Sequence, residues 1–143
     1  MLLNTTHHNK KTEALINEKV GKPFGLIDNF KLRGIGSPRL DIQKTSKAIE
    51  QLLNRDNHRQ YGNIELRPKG ILFRFHTRLE TYALVIPYYK LVLYKPGNSF
   101  TIYIDNHFVN FSATPTNKAI YRFIQKMKTE QQKLIPNHFI QIL

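Results

Sequence analysis

The sequence contains no cysteine and no tryptophan, and it sets only 10 acidic residues against 22 lysines and arginines. Without cysteine there is no disulfide framework, no thiolate metal site and no thiol nucleophile, which fits a reducing cytoplasm. Sparse carboxylates leave little material for paired acid–base chemistry. Long apolar runs are missing as well. Met1-Leu2-Leu3 gives way at once to Asn4-Thr5-Thr6, so the apolar stretch of roughly 7–15 residues that a secretion signal requires is not there. Tyr82 to Tyr94 is the most apolar window, yet Pro87 and Lys90 interrupt it, and it is too short to cross a bilayer as a helix. The expectation is a cytoplasmic protein with no transmembrane segment, at most peripheral to a membrane.

What is present is enough for a packed core. The chain of 143 residues is 41% hydrophobic and carries nine Phe and seven Tyr. A chain of this size buries about 68% of its unfolded surface and needs no metal or disulfide to hold it. No repeat or linker divides it. It reads as one domain over residues 1–143, with a helical N-terminal portion (1–60), a body of strands plus a helix (61–134) and a short extension (135–143).

Thr12 to Val20 has the spacing of a short helix, capped by Thr12 and stopped by Gly21. Phe24 to Leu40 is punctuated by glycines, Asp28-Asn29 and Ser37-Pro38, and reads as a loop with a brief strand at Phe30–Arg33. Asp41 suits the N-cap of a second helix reaching about Asn54, with Ile42, Thr45, Ile49, Leu52 and Leu53 inward. Six strands follow at Tyr61–Arg67, Gly70–Arg78, Thr81–Ile86, Tyr89–Tyr94, Phe100–Asp105 and His107–Ser112, broken by Pro68-Lys69-Gly70, Pro96-Gly97-Asn98 and Asp105-Asn106. Thr114-Pro115 opens a helix to Leu134 with Ala119, Ile120, Phe123, Ile124, Met127 and Leu134 on one face. Pro136 ends it, and His138 to Leu143 alternates weakly, as an edge strand or a packed tail would.

The net charge of +12 is not carried by a tail: Lys31 to Lys95 holds 13 basic and 5 acidic residues, a net of +8. Two rows concentrate it. Strand alternation over Ile71 to Arg78 puts Arg74, His76 and Arg78 on one side and Ile71, Phe73 and Phe75 on the other. On the C-terminal helix, Lys118, Arg122 and Lys126 recur every fourth residue. With Lys69 in the preceding turn, these seven residues are the candidate binding set. An excess this large points to an anionic partner, nucleic acid or lipid headgroup. The plainer alternative, two solvated faces, stands beside it.

Catalytic motifs fail on inspection. Gly34-Ile35-Gly36 has Arg39 where a dinucleotide fingerprint needs glycine, and Lys69-Gly70 lacks the frame of a P-loop. The six histidines (7, 8, 58, 76, 107 and 138) show no metal spacing. His7 and His8 fall in a frayed terminus, and His107 in a solvated turn. Asp56 with His58, or His76 with Glu80, would make a dyad only if the fold joined them, and no nucleophile accompanies either. The expectation is a non-enzymatic protein with no cofactor and no metal. Tyr82, Tyr88, Tyr89, Tyr94, Tyr103, Phe108 and Phe111 all fall in predicted strands, mostly as core, with Tyr88 and Tyr89 on opposite faces.

A series of antiparallel strands followed by a capping helix resembles the pleckstrin-homology-like (PH-like) fold, particularly small bacterial PH-like domains. The likeness runs over residues 61–134 and is carried by Asn63 to Ile71, by Ile86-Pro87-Tyr88-Tyr89-Lys90-Leu91-Val92-Leu93-Tyr94, and by the helix with Phe123-Ile124. Lys22-Pro23-Phe24-Gly25-Leu26-Ile27-Asp28-Asn29-Phe30 also looks like a run in short bacterial proteins. The resemblance implies an α+β fold, a bent antiparallel sheet or partial barrel closed by the last helix, with Phe123 where eukaryotic PH domains place Trp. It implies a binding or adaptor domain for a protein partner or an anionic lipid headgroup. A nucleic-acid binder using the same surface is the alternative. Each Lys or Arg adds about 1 kcal/mol at an anionic membrane, so a three-residue row attaches weakly without an apolar anchor. No such anchor shows in the sequence, which ranks protein binding or assembly slightly ahead of lipid. Neither the partner nor the oligomeric state is legible.

Overall fold

The computed structural model describes residues 1–53, 59–114 and 116–135. Eight strands form one antiparallel sheet: β1 (Leu2–Asn4), β2 (Leu40–Thr45), β3 (Gln60–Arg67), β4 (Gly70–His76), β5 (Thr81–Pro87), β6 (Val92–Tyr94), β7 (Ser99–Ile104) and β8 (His107–Ser112). Four helices accompany them: α1 (Lys10–Val20), α2 (Leu26–Lys31), α3 (Lys47–Leu53) and α4 (Lys118–Leu134). The spatial order is β1-β5-β4-β3-β2-β8-β7-β6. From β2 to β8 every consecutive pair is hydrogen-bonded except β5 and β6, and β2 pairs β8 instead. The sheet is not closed, and β1 and β6 are its edges.

Strand alternation sorts the side chains. Ile64, Leu66, Ile71, Phe73, Phe75, Leu84, Ile86, Phe100, Ile102, Val109 and Phe111 face inward to the main core. Ile49 and Leu53 of α3 and Ile120, Phe123, Ile124 and Met127 of α4 complete it. The opposite sheet face carries a smaller apolar cluster, where Ile16 and Val20 of α1 meet Leu72 and Val85. Of the stripe expected on the last helix, Ala119 and Leu134 lie outside the core, and Gln131 is buried in it. Gln131 Nε2 donates to the carbonyls of Tyr88 (3.1 Å) and Leu91 (2.9 Å). That pair of bonds latches α4 to the junction where β5 and β6 do not pair.

Several expected boundaries move. The predicted helix from Asp41 is split: Leu40–Thr45 is a strand between β3 and β8, and only Lys47–Leu53 is helical. Leu40 and Ile42 stand at the strand period of two, while Ile42, Thr45 and Ile49 also fit a helix, and the distant partners Gly62 and Phe111 decide the matter. The first third of the chain is therefore not purely helical. Leu2–Asn4, for which the sequence suggests no element, adds a strand to β5. Helix α1 is capped by Asn9, three residues before the predicted cap Thr12, and Asn9 Oδ1 accepts from Lys11 N at 2.8 Å. Phe30–Arg33 is not a strand: Leu26–Lys31 is helical, ended by Arg33 and Gly34 at φ of 57° and 98°. Pro87 stops β5 and a 3-10 turn at Tyr88–Lys90 replaces the start of the expected strand, leaving β6 short. Strand β4 ends at His76, where Thr77 N bonds Glu80 O and turns the chain. Helix α4 is capped by Asn117, whose Oδ1 accepts from Ile120 N, rather than by Thr114. Pro115, Pro136 and the predicted tail at His138–Leu143 lie outside the described residues.

Candidate functional site

Because Phe73 and Phe75 point into the main core, Arg74 and His76 point to the opposite face of the sheet. Arg74 does not stand free there. It donates to Glu65, whose other oxygen accepts from Arg67 Nε at 2.5 Å. Arg67 is buried and also donates to Asn17 Oδ1 (3.1 Å) and to the carbonyl of Gly21 (2.9 Å), fastening α1 to β3. Burial pushes the Glu65 carboxyl up, but the hydrogen bonds from Arg74 and Arg67 outweigh it and hold the group below its ordinary value. Glu65 and Arg67 were not singled out in the sequence. Only the register, which sets Glu65 opposite Leu72 and next to Arg74, brings the three together.

His76 Nδ1 lies 3.0 Å from Thr81 Oγ1, while Glu80 accepts from Asn4 Nδ2 and Thr6 Oγ1, so these two residues serve different partners. The Asp56–His58 pair lies outside the described residues. Two openings flank the Arg74–Glu65 pair. One, of about 320 Å³, is lined by His7, His8, Thr12, Arg67 and Arg74; the other, of about 310 Å³, by Ser37, Arg39, Tyr61, Asn63 and His76. In the second, the Arg39 guanidinium lies 4.1 Å from the centre of the Tyr61 ring.

The seven predicted site residues do not share one face. Lys69 and Arg78 sit in the turns at opposite ends of β4. Lys118, Arg122 and Lys126 belong to α4, which packs on the inner side, away from Arg74 and His76. Lys126 is bound locally: its Nζ donates to the carbonyl of Gly34 at 3.1 Å. His107 is half-buried at the start of β8, rather than in open solvent, and its Nδ1 has no protein hydrogen-bond partner. Tyr88 is fully buried in the 3-10 turn with its hydroxyl also unpartnered, and burial, aided by the Glu130 charge, raises its pKa above the ordinary phenol. Tyr89 beside it is exposed.

A different grouping forms around α2. The chain leaves α1 at the end of the sheet marked by the β3–β4 turn: Gly21 faces the Pro68 ring, and Lys69 N bonds the Val20 carbonyl at 2.8 Å. It returns where Leu66 N bonds the Ile35 carbonyl, also at 2.8 Å. The excursion Gly21–Gly34 thus has Lys69 at its start and Lys126 at its end. Phe24 and Ile35 pack against the main core and pin both flanks. Between them Leu26, Ile27 and Phe30, at helical spacing, are 89%, 72% and 85% exposed. With Lys22, Lys31 and Arg33 in the excursion, five cations accompany one carboxylate, Asp28. A set of exposed apolar side chains thus lies in a segment whose sequence reads as loop.

No protein-family model, curated protein or solved structure matches the chain. Among the described residues no helix is long and apolar enough to cross a membrane, and no three His, Asp or Glu gather as a metal site would require. What the surface offers chemically is presentation: cations and bare apolar side chains held on a fixed scaffold.

Proposed function

We propose that the protein is a non-enzymatic binding module of PH-like architecture that engages an anionic partner through the α2 end of its sheet. The observation that carries this reading is the excursion Gly21–Gly34, which holds Lys22, Lys31 and Arg33 with Asp28 as its single acid and runs from Lys69 to Lys126. At about 1 kcal/mol for each Lys or Arg near an anionic surface, this group of five outweighs Lys118 and Arg122, the rest of the α4 row. Seven antiparallel strands in chain order, β2 to β8, followed by a helix hydrogen-bonded to the β5–β6 connection, support the PH-like part of the proposal. Assembly through a protein partner with an acidic face is the other form of the same reading.

A second reading has its own observation. The outer face of β6–β8 presents Tyr94, Tyr103 and Phe108, the last two rings 5.8 Å apart, above an opening of about 350 Å³ that Lys44 also lines. Rings and cations interleaved on a sheet suit stacked bases. Titrating the purified chain against anionic vesicles, a single-stranded oligonucleotide and a duplex at about 150 mM salt separates the two. The first reading expects vesicle binding that weakens with salt. Preferential oligonucleotide binding, lost in Tyr103→Ala, would replace it with the second. No binding to any of the three, and none to an acidic protein surface in pull-downs, would overturn both.

A further inference from the structure

We infer that α2 is a membrane-inserting anchor, and that the anionic partner of the α2 end is a lipid bilayer surface. This inference rests on the reading just given and adds the occupant. Leu26, Ile27 and Phe30 are the most exposed large apolar residues of one short element, and α2 buries none of its own side chains. Their exposure is not a failure to reach the core, since Phe24 and Ile35 on either side do reach it. The fold holds the three outward. Isolated exposed apolar residues need no explanation, but a contiguous set rimmed by charge marks a contact site.

The chemistry of the rim selects the occupant. Lys22, Lys31 and Arg33 flank the three apolar residues along the excursion and Lys69 and Lys126 stand at its two ends, and lysine and arginine stems can lie along acyl chains while their heads meet phosphate. A second copy of the chain would bring the same cations face to face, which disfavours self-association. Three side chains, even with a ring worth about 150–250 Å², also fall short of the roughly 800 Å² each partner contributes to a stable protein interface. A bilayer asks for neither complementarity of shape nor that area. It needs a few apolar groups that reach below the headgroups and cations that stay at their level.

The absence of tryptophan makes the test direct. Phe30→Trp places a single reporter on α2, and Leu26→Trp provides a second, independent one. Mixed with vesicles of phosphatidylglycerol and phosphatidylcholine, either variant should shift its emission to the blue and be quenched by lipids brominated in their acyl chains. Vesicles of phosphatidylcholine alone should produce little of either. In the full chain, Leu26→Ser with Phe30→Ser should weaken vesicle partitioning roughly a hundredfold or more and leave the melting temperature unchanged. Retained vesicle binding with water-like emission from both reporters would overturn insertion while leaving the electrostatic reading intact. Absence of all vesicle binding by the parent chain would overturn the membrane assignment, and failure of the acidic-protein pull-downs as well would overturn the reading it rests on. A blue shift that appears without lipid and grows with protein concentration, matched by a dimer in sedimentation, would assign α2 to a second copy and overturn the membrane assignment.

Discussion

Replacing Glu65 with glutamine isolates the one carboxylate that, among the described residues, serves two guanidiniums. The amide keeps the shape of the side chain and removes its charge, so the variant tests the ion network rather than packing. Removing one partner of a fully buried pair costs about 3–5 kcal/mol. Here Arg67 is 7% exposed but keeps two neutral acceptors, Asn17 Oδ1 and the Gly21 carbonyl, while Arg74 is 33% exposed and solvent-screened. The expected loss is therefore about 2–3 kcal/mol, or roughly 8–12 °C in melting temperature for a chain of this length. The pH dependence has a definite sign. The folded-state carboxyl lies below its ordinary 4.5, so its contribution is complete above that value and is lost as pH falls through the folded pKa. Thermal melts followed by circular dichroism should show a gap between parent and Glu65→Gln at pH 7 that narrows steadily on acidification below 4.5. A gap under about 1 °C at neutral pH, or one that stays constant down to about pH 3, would refute the reasoning.

Three further substitutions probe the scaffold. Gly70→Ala would place a methyl 2.3 Å from the Ile86 carbonyl oxygen and 2.7 Å from Val20 Cγ1, so chemical denaturation should show a loss of about 3 kcal/mol or more. Phe123→Asp puts a charge where α4 enters the main core and should cost about 4 kcal/mol or prevent folding; a melt within a degree or so of the parent would contradict that placement. Gln131→Leu leaves the Tyr88 and Leu91 carbonyls without its donor and should lower stability by about 2 kcal/mol, measured by urea titration at unchanged slope.

The stretch from β3 to β8 was legible because alternation and turn chemistry agree there. Pro68-Lys69-Gly70 and Asp105-Asn106 mark turns that the structure makes, the latter with Asp105 at φ 50°, a conformation that aspartate tolerates. The N-terminal third was harder, since its strands take their identity from distant neighbours: β1 needs the edge of β5, and β2 needs both β3 and β8. The candidate site was legible only in pieces. Lys69 and Lys126 were named, but in the company of Arg74, which points to the sheet face opposite α4, and of Lys118 and Arg122, which lie farther back along α4. Leu26, Ile27 and Phe30 keep helical spacing, yet Gly25, Asp28-Asn29 and Gly34 carry a turn signal that masks it in the sequence. No pattern in the sequence tells that these three side chains stay exposed, because that depends on Phe24 and Ile35 reaching the core first.

The most direct measurement is vesicle co-sedimentation of the full chain and two charge-reversal variants at about 150 mM salt. Lys22→Glu with Lys31→Glu and Lys69→Glu alters the α2 end, and Lys118→Glu with Arg122→Glu alters the exposed row on α4. The account predicts that the parent pellets with anionic vesicles and not with neutral ones, that the first variant stays in the supernatant, and that the second still pellets. Equal binding by the first variant and the parent, or loss of binding only in the second, would contradict it.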